Sequence, residues 1–565
     1  MSTSAPADPK KSAHEHAVFL SALQKAADAY PKPQGVKFSY GTAGFRTLGE
    51  RLPSVMFCCA LLAVLRSKKL GGAAIGVMIT ASHNPEQDNG VKLVDPSGEM
   101  LDPTWESHAT LLANCTSTES LITTFIDLAH HLRVELDACA PSSIIYARDT
   151  RPSGKKLVEA FEAGLSAFQG LKVVDLGVHT TPVLHYVVRA TNARDGEQGK
   201  PTVEGYYERM AGAFKTLIGN RGPLPTLYVD CANGVGAPAI STLSSYLGTS
   251  LPLQAMNDST TTPGALNSQC GADYVKTRQA LPPSVEDAGL LDKPDTRSCS
   301  LDGDADRIIY YYLGEGGKFR LLDGDKIAGL VALFLMDLVK KAKLGQEGGE
   351  DTAEVGVVQT AYANGSSTKY LKGRGVPVTC VPTGVKHLHH AAQKYDIGVY
   401  FEANGHGTVL FSPSFLSTLA VHEPTSPDSS TATKQLLALS QLINQAVGDA
   451  LSDMLLVEVV LAHRGWTAVE WDAAYEDLPN RLVKVEVADR FLFETTDAER
   501  KLTSPAGLQA VLDEAVGKVE MGRSFVRPSG TEDCVRVYAE AKTTAGVDTL
   551  ATTVSDLVKQ YSKTQ

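Results

Sequence analysis

No C-x-x-C pair occurs among the nine cysteines, and only Cys58 and Cys59 are neighbours. That scatter argues against a disulfide framework and leaves reduced, buried or incidental thiols. Positive charge is also short. Against 64 Asp and Glu the chain has 53 Lys and Arg, a net charge of −11, which argues against non-specific binding to nucleic acid or to a membrane surface. An anionic substrate therefore needs locally concentrated arginines. Long apolar runs are missing too. "VMFCCALLAVL" from Val55 and "GLVALFLMDLV" from Gly329 fall short of the ~20 residues that span a bilayer, and read as buried helices. The opening "MSTSAPADPKKSAHEHAVFL" has no apolar core of the signal-peptide kind. The expected compartment is the cytoplasm, where the sequons at Asn114, Asn257 and Asn364 go unused.

What is present is length and punctuation. The 565 residues exceed one ordinary domain several times over, and 43% hydrophobic, 21% charged and 49 glycines suit an α/β protein with glycine-rich loops. Short apolar strands run into such loops repeatedly: "AAIGVMIT" into "ASHNP", "SSIIYARD" into "TRPSG", "PTLYVD" into "CANGVG", then "EVGVVQTAYANG" and "IGVYFEANGHG". Helix-length stretches such as "SGKKLVEAFEAGLSAF" lie between them, so βα repetition with mostly parallel sheets is expected. In such folds ligands bind at the carboxyl ends of strands. The polar "ATNARDGEQGKPTVEG", the strand in "DADRIIYYYLGEGGKFR" and the alternation in "YEDLPNRLVKVEVADR" divide the chain into four units, 1–195, 196–310, 311–465 and 466–565. Three strand-plus-small-turn segments hint at a repeat whose identity is too low to establish from sequence.

Four constellations carry chemistry. In "ITASHNP", Ser82 ends a strand with His83 beside it; adjacency does not make a base and an orienting acid, so Ser82 is either ordinary loop or something other than a hydrolase nucleophile. In "SLDGDADRI", Asp302, Asp304 and Asp306 alternate with tiny spacers, able to converge on a hard cation such as magnesium or simply to form a solvated acidic turn. Arg307 and Leu313 stand where an EF-hand needs glycine and glutamate. In "FVRPSGTEDCVRVYAEA", Arg527, Ser529, Gly530 and Thr531 form a turn before a strand with Arg536, suited to phosphate or merely a surface turn. In "VYFEANGHGTVLF", Glu402, Asn404 and His406 are either sugar-hydroxyl ligands or polar hairpin tips. Thr383 and Gly384 mark a further turn, followed by His387, His389 and His390, which read as a solvated helix rather than a metal site. Arg46 and Lys92 are each, alone, most simply surface charges.

Taken in order, "TASHNP", "DGDADR", "FEANGHG" and "RPSGTEDCVRVYAEA" resemble the α-D-phosphohexomutase superfamily, most closely its phosphoacetylglucosamine mutase branch, over residues from about Tyr40 to Ala541. The resemblance implies three related mixed α/β domains and a C-terminal TATA-binding-protein-like α+β domain around a central cleft. It implies a phosphorylated Ser82, with Mg²⁺ held by Asp302, Asp304, Asp306 and an oxygen of the Ser82 phosphate. A sugar 1,6-bisphosphate then serves as intermediate and activator. Arg46 and Arg307 supply charge. Lys92 matches the family's general base, a role that needs nearby cations to lower its pKa, and His83 either orients the phosphate or makes a structural hydrogen bond. Thr383 and Gly384 fall to the substrate, Glu402, Asn404 and His406 to its sugar hydroxyls, and Arg527, Ser529, Gly530, Thr531 and Arg536 to the phosphate that is not transferred. The implied partner is a hexosamine phosphate, with no nucleic acid or membrane and no oligomeric state indicated. Glu402-Ala403-Asn404-Gly405-His406-Gly407, in place of G-E-x-S-G-H, favours an N-acetylhexosamine. A phosphoglucomutase or phosphomannomutase, a Mg²⁺-dependent phosphatase and a sugar-phosphate sensor are the alternatives.

Overall fold

Three of the chain's sheets share one spatial plan. The structure, a computed structural model, describes residues 9–136, 141–194, 196–291, 296–344, 353–529 and 534–563. The first sheet contains β1 (Phe45–Leu48), β2 (Ala74–Ile79), β3 (Asp88–Val94), β4 (Ser142–Arg148) and β5 (Leu171–Val178) in the order β1-β3-β2-β4-β5. The second has β6 (Leu227–Asp230), β7 (Leu253–Met256), β8 (Arg297–Leu301), β9 (Ile308–Leu313) and β10 (Phe319–Leu322), ordered β10-β9-β8-β6-β7. The third has β11 (Val355–Thr360), β12 (Val378–Val381), β13 (Ile397–Phe401) and β14 (Gly407–Phe411), ordered β12-β11-β13-β14.

In each, three parallel strands are followed across the sheet by one antiparallel strand that hairpins from the last of them: β2–β3, β8–β9 and β13–β14. The chain threads this plan in two ways, because the first sheet makes its hairpin before its outer parallel strands and the other two make it after them. β2 is buried along its whole length, as a strand covered on both faces requires. The covering helices are the expected apolar runs: Pro53–Lys69, buried from Ser54 to Ser67, and Gly324–Ala342. The sheets are thus mixed rather than mostly parallel. Strand β9 also runs through the boundary expected at residue 310, because the β9–β10 hairpin keeps the second sheet going to Leu322.

The last unit is α+β. Its antiparallel sheet, ordered β15-β19-β18, uses β15 (Asn480–Glu486), β18 (Arg523–Pro528) and β19 (Cys534–Glu540), beside a small hairpin of β16 (Glu494–Thr496) and β17 (Lys501–Ser504). Helices Leu508–Gly517 and Thr544–Tyr561 close a core of its own around Leu508, Val535, Val537 and Val554. One continuous core instead runs from one face of the first sheet, at Met78 and Ile145, through the second and third units to Trp471. A separate core lets the last unit move as a body.

That unit meets the third through a small buried apolar cluster, Ala361 with Phe525 and Tyr538 and Tyr362 packed on it, and through polar ties. The Arg523 guanidinium donates to the carbonyls of Ala361 (2.8 Å) and Ala363 (2.6 Å), and Glu540 accepts from Gly365 N at 3.0 Å. Asn364 caps the helix Gly365–Gly373 and exchanges two hydrogen bonds with Leu478 of the linker. Next to it lies a knot of charge comprising Asp323, Asp325, Asp472, Asp477, Lys276 and Lys326. Burial, and after it the charge of Asp323, pushes the Asp477 carboxyl up to about 7, while Lys326 and Lys276 pull the other way. A carboxyl raised in the fold contributes stability that is complete below its unfolded value, about 4, and lost as pH rises through the folded one. Wild-type protein is therefore expected to lose melting temperature between about pH 5 and 7.5 relative to Asp477→Asn. Melting curves that stay parallel across that window would remove Asp477 from the account.

No helix among the described residues is long and apolar enough to cross a membrane, and the described cysteines form no disulfide.

Candidate active site

The three hairpin loops meet. Ser82 lies in the β2–β3 loop, the aspartates in the β8–β9 loop, and Glu402 to His406 in the β13–β14 loop. Main-chain bonds knit them. Ile308 N donates to Gly405 O at 3.1 Å, and Thr181 N, from the start of the helix Thr181–Asn192, donates to Asp304 O at 3.2 Å. Gly405, at φ 87, faces the Ile308 carbonyl 2.0 Å from where a Cβ would stand, so no other residue fits this approach.

Ser82 is 2% exposed and held at φ 51, a left-handed conformation that a serine adopts only when its surroundings impose it. Thr80 Oγ1 accepts from Ser82 N (3.0 Å) and donates to Asp149 Oδ2 (2.6 Å). The Ser82 carbonyl accepts from Arg151 Nη2 (3.0 Å), itself paired with Asp149, and from Asn267 Nδ2 (2.9 Å). The loop's two donors therefore come from different units. So placed, Ser82 Oγ donates to Asp302 Oδ2 at 2.5 Å. Gly303 permits this, since a Cβ there would sit 2.6 Å from the Ser82 carbonyl.

Asp302, Asp304 and Asp306 are buried and can offer oxygens within 4.8 Å of one another, the one such carboxylate, histidine or cysteine group among the described residues. Asp304 Oδ1 and Asp306 Oδ1 have no hydrogen-bond partner. Buried, unsatisfied carboxylate oxygens converging on one point are what a hard divalent cation satisfies. Burial, and then the charges of Asp306 and Asp304, hold the Asp302 carboxyl well above its ordinary range. At Asp306 burial pushes upward, but Lys92, His406 and Arg307 outweigh it and the carboxyl lies well below that range. Burial followed by the charges of Arg307 and Arg46 lowers the His83 imidazole to about 2, so it is neutral at physiological pH. Its Nδ1 is 3.4 Å from Ser82 Oγ.

Lys92 Nζ stands 3.3 Å from Asp306 Oδ2 and 3.5 Å from Asp304 Oδ2. Its immediate partners are thus carboxylates rather than cations. Arg46, on β1, donates to Asn84 Oδ1 at 3.2 Å, and Arg307 Nε is 3.9 Å from both Asp302 and Asp306. His406 Nδ1 is 2.8 Å from the Asp306 carbonyl, which joins the β13–β14 loop to the acidic one; Asn404 Oδ1 accepts from His406 N (2.9 Å) and shapes that turn. Glu402 and Asn404 remain half-buried at the cleft.

Thr383 and Gly384 precede the helix Val385–Ala392, facing Thr42 of the first unit. Within that helix His387 and His390 are at least partly exposed, but His389 is buried, 3.2 Å from Tyr400 OH and 3.3 Å from Glu99, so the helix is solvated on one side only. Arg527, at the end of β18, is directly opposite Arg536 of β19, with Ser529 following. Gly530 and Thr531 lie outside the described residues. Asp149, Arg151, Asn267, Thr80 and Thr181, which hold the reacting loops, are not in the set read from sequence. "ARDTRPSG" showed charge at a strand end, but its partner Ser82 lies 69 residues away.

Profiles of phosphoglucomutase/phosphomannomutase match the first unit (its alpha/beta/alpha domain I, residues 53–121 and 113–196) and the last (its C-terminal domain, 482–557), making the chain an α-D-phosphohexomutase. The middle units are more particular, matching phosphoacetylglucosamine mutase AMG1 domain II at 199–309 and domain III at 323–466. The chain belongs to the phosphoacetylglucosamine mutase family. It is 49% identical to phosphoacetylglucosamine mutase of Sus scrofa, over 96% of this chain and 98% of that one, and 46% identical to that of Saccharomyces cerevisiae, over 95% and 98%. A crystal structure of Aspergillus fumigatus N-acetylphosphoglucosamine mutase in complex with GlcNAc-6P and magnesium superposes with a TM-score of 0.91 at 51% identity, covering 97% of this chain and 99% of that one. A serine-to-alanine form of that enzyme is in complex with glucose 1,6-bisphosphate, with a TM-score of 0.90 and 50% identity over 98% and 100%.

Proposed function

We propose that this chain interconverts N-acetylglucosamine 6-phosphate and N-acetylglucosamine 1-phosphate through a phosphorylated Ser82 and a sugar 1,6-bisphosphate, supplying UDP-N-acetylglucosamine synthesis in the cytoplasm. The observation that carries this reading is the buried Ser82 hydroxyl 2.5 Å from Asp302, within a carboxylate triad that has unsatisfied oxygens. The working units are taken as 1–195, 196–322, 323–465 and 466–565.

The carboxylates of Asp302, Asp304 and Asp306 would hold Mg²⁺ together with an oxygen of the Ser82 phosphate, and the ion supplies charge neutralisation at the phosphoryl oxygens. The protein's part is positioning, which dominates phosphoryl transfer. Arg151 and Asn267 fix the Ser82 loop, so that its phosphorus faces the sugar hydroxyl in line. As the new P–O bond forms, the bond to Ser82 Oγ breaks. Arg307 and Arg46 face the charge that spreads over the equatorial oxygens. Lys92, as the neutral amine, would take the proton of the attacking hydroxyl and become the ammonium; its Nζ lies 3.3 and 3.5 Å from Asp306 and Asp304, the carboxylates that would also hold the cation. His83, neutral, turns Nδ1 toward the serine oxygen without adding charge. Glu402, Asn404 and His406 bond sugar hydroxyls common to both orientations of the bisphosphate. Arg527, Ser529, Gly530, Thr531 and Arg536, with Thr383 and Gly384, grip the other phosphate.

A comparison of turnover tests the substrate. kcat/KM for N-acetylglucosamine 6-phosphate is expected to exceed that for glucose 6-phosphate by about tenfold or more, since polar groups that bond the N-acetyl amide are left unpaired when it is missing. Equal or better use of glucose 6-phosphate would overturn the choice of substrate.

A further inference from the structure

The last unit carries three basic side chains in one row across its sheet. Lys484 on β15, Arg536 on β19 and Arg527 on β18 are successive cross-strand partners, and directly opposed residues share a face. Like charges placed this way repel, and the row suits an anion. Against Arg527 the protein sets an anion of its own. Glu499 Oε1 stands 3.2 Å from Arg527 Nε, while Oε2 accepts from Thr383 N at 2.9 Å and from the Thr383 hydroxyl. The two charged side chains are only 17% and 18% exposed. A guanidinium, a main-chain N–H and a hydroxyl converging on one carboxylate form the donor set that a phosphate monoester takes. Thr383 belongs to the third unit and Glu499 and Arg527 to the fourth, so this carboxylate bridges the mouth of the cleft.

Glu499 fills that seat imperfectly. Arg527 Nε is buried and, despite the 3.2 Å approach, makes no hydrogen bond, leaving a donor that a tetrahedral anion with more oxygens can use. The turn that delivers Glu499, between β16 and β17, has Asp497 at φ 53, Ala498 at φ 54 and Glu499 at φ 66. Three consecutive non-glycine residues in the left-handed region are each strained. Arg500 closes the turn on itself, donating from Nε to the Asp497 carbonyl at 3.0 Å and from Nη2 to the Asp497 carboxylate at 2.5 Å, so the turn can travel as one piece.

Resting on the mutase reading above, we propose that Glu499 is a built-in competitor for the seat of the non-reacting phosphate. It occupies Thr383 and Arg527 in the absence of a sugar phosphate, and swings out with the β16–β17 turn when one binds. A carboxylate carries one negative charge and a phosphate monoester about 1.5 to 2 at neutral pH, so a phosphorylated sugar displaces it and an unphosphorylated sugar does not. The plug thereby selects for phosphate and lowers the grip on the bisphosphate, which must leave this seat to turn round.

The test titrates inorganic phosphate and N-acetylglucosamine 6-phosphate into the full chain, its Glu499→Gln and Glu499→Ala forms, and Arg527→Ala as the variant without the seat. Both Glu499 variants are expected to bind inorganic phosphate about five- to tenfold more tightly, the scale of one charged competitor removed from a partly buried site. KM for the sugar phosphate falls with it, and kcat does not rise. Arg527→Ala loses phosphate binding. Phosphate binding that weakens in both Glu499 variants, as for a clasp that only closes the cleft, or that stays unchanged, overturns the proposal. Phosphate binding is measured without turnover, so a wild-type chain that fails to convert N-acetylglucosamine 6-phosphate sinks the mutase reading and leaves the plug to its own result.

Discussion

Ser82→Ala is expected to lower mutase turnover by at least ~10³-fold, because the group that carries the phosphoryl between the two ends of the sugar is gone and no neighbour replaces it. His83 is the adjacent candidate, yet its imidazole makes only a 3.4 Å contact to the serine oxygen and is tethered to the same strained loop. The fold should tolerate the change. Alanine retains the position's backbone strain, and Asp302 loses one hydrogen bond while its carboxyl is already held toward the neutral form by burial and by its two acidic neighbours. A shift in melting temperature within ~2 °C is the expected scale for a chain of this size. Intact mass should show one phosphate on the wild type, mapped to the peptide containing Ser82, and none on the variant. Turnover in Ser82→Ala above about a tenth of wild type would defeat the phosphoserine mechanism.

The largest expected loss of stability lies away from the cleft, at Glu458→Ala. Glu458, fully buried in the helix Ala450–Arg464, takes both arms of the Arg297 guanidinium, Nε at 3.0 Å and Nη2 more closely, and also accepts from Tyr310 OH at 3.2 Å. Arg297 begins β8, so this pair bolts the second sheet to a helix of the third unit. Removing one partner leaves a buried cation with a vacancy beside it, which costs about 3–5 kcal/mol. The reverse double change, Arg297→Met with Glu458→Leu, removes both charges and is expected to recover most of that. Urea midpoints measure both. A loss below about 1 kcal/mol in the single variant would show that the ion pair has access to water.

Legibility in the sequence followed locality. Asp302, Asp304 and Asp306 are close in space because they are close in the chain, and "DGDADR" could be read as a cation loop directly. The Ser82 loop was located as a strand end, but its setting between antiparallel β2 and β3 was not, since "DNGVKLV" returns beside its own hairpin partner and strand pairing leaves no local mark in so short a run. The boundary near 310 slipped for a similar reason: a strand leaving an acidic loop reads alike whether it begins a unit or completes one. Arg297 and Glu458 are 161 positions apart, and Glu499 is 116 from Thr383. Nothing in either neighbourhood announces the other. His389 shows the limit of helical spacing, because the burying partners Tyr400 and Glu99 come from different units.

The same hairpin loop is used in each of the three sheets, and those loops are bonded to one another through Ile308, Thr181 and Asn267. Mechanically the cleft is therefore a stiff anvil on three sides and a compliant hand on the fourth. The end of the sugar that reacts rests on the anvil, where a displacement of about 1 Å costs much of the rate; the end that is merely held lies under the hand. On the proposed mechanism a bisphosphate has to turn end for end without escaping. An asymmetric vice allows this, since loosening one jaw frees the molecule to rotate while the surface that must receive its other end keeps its shape.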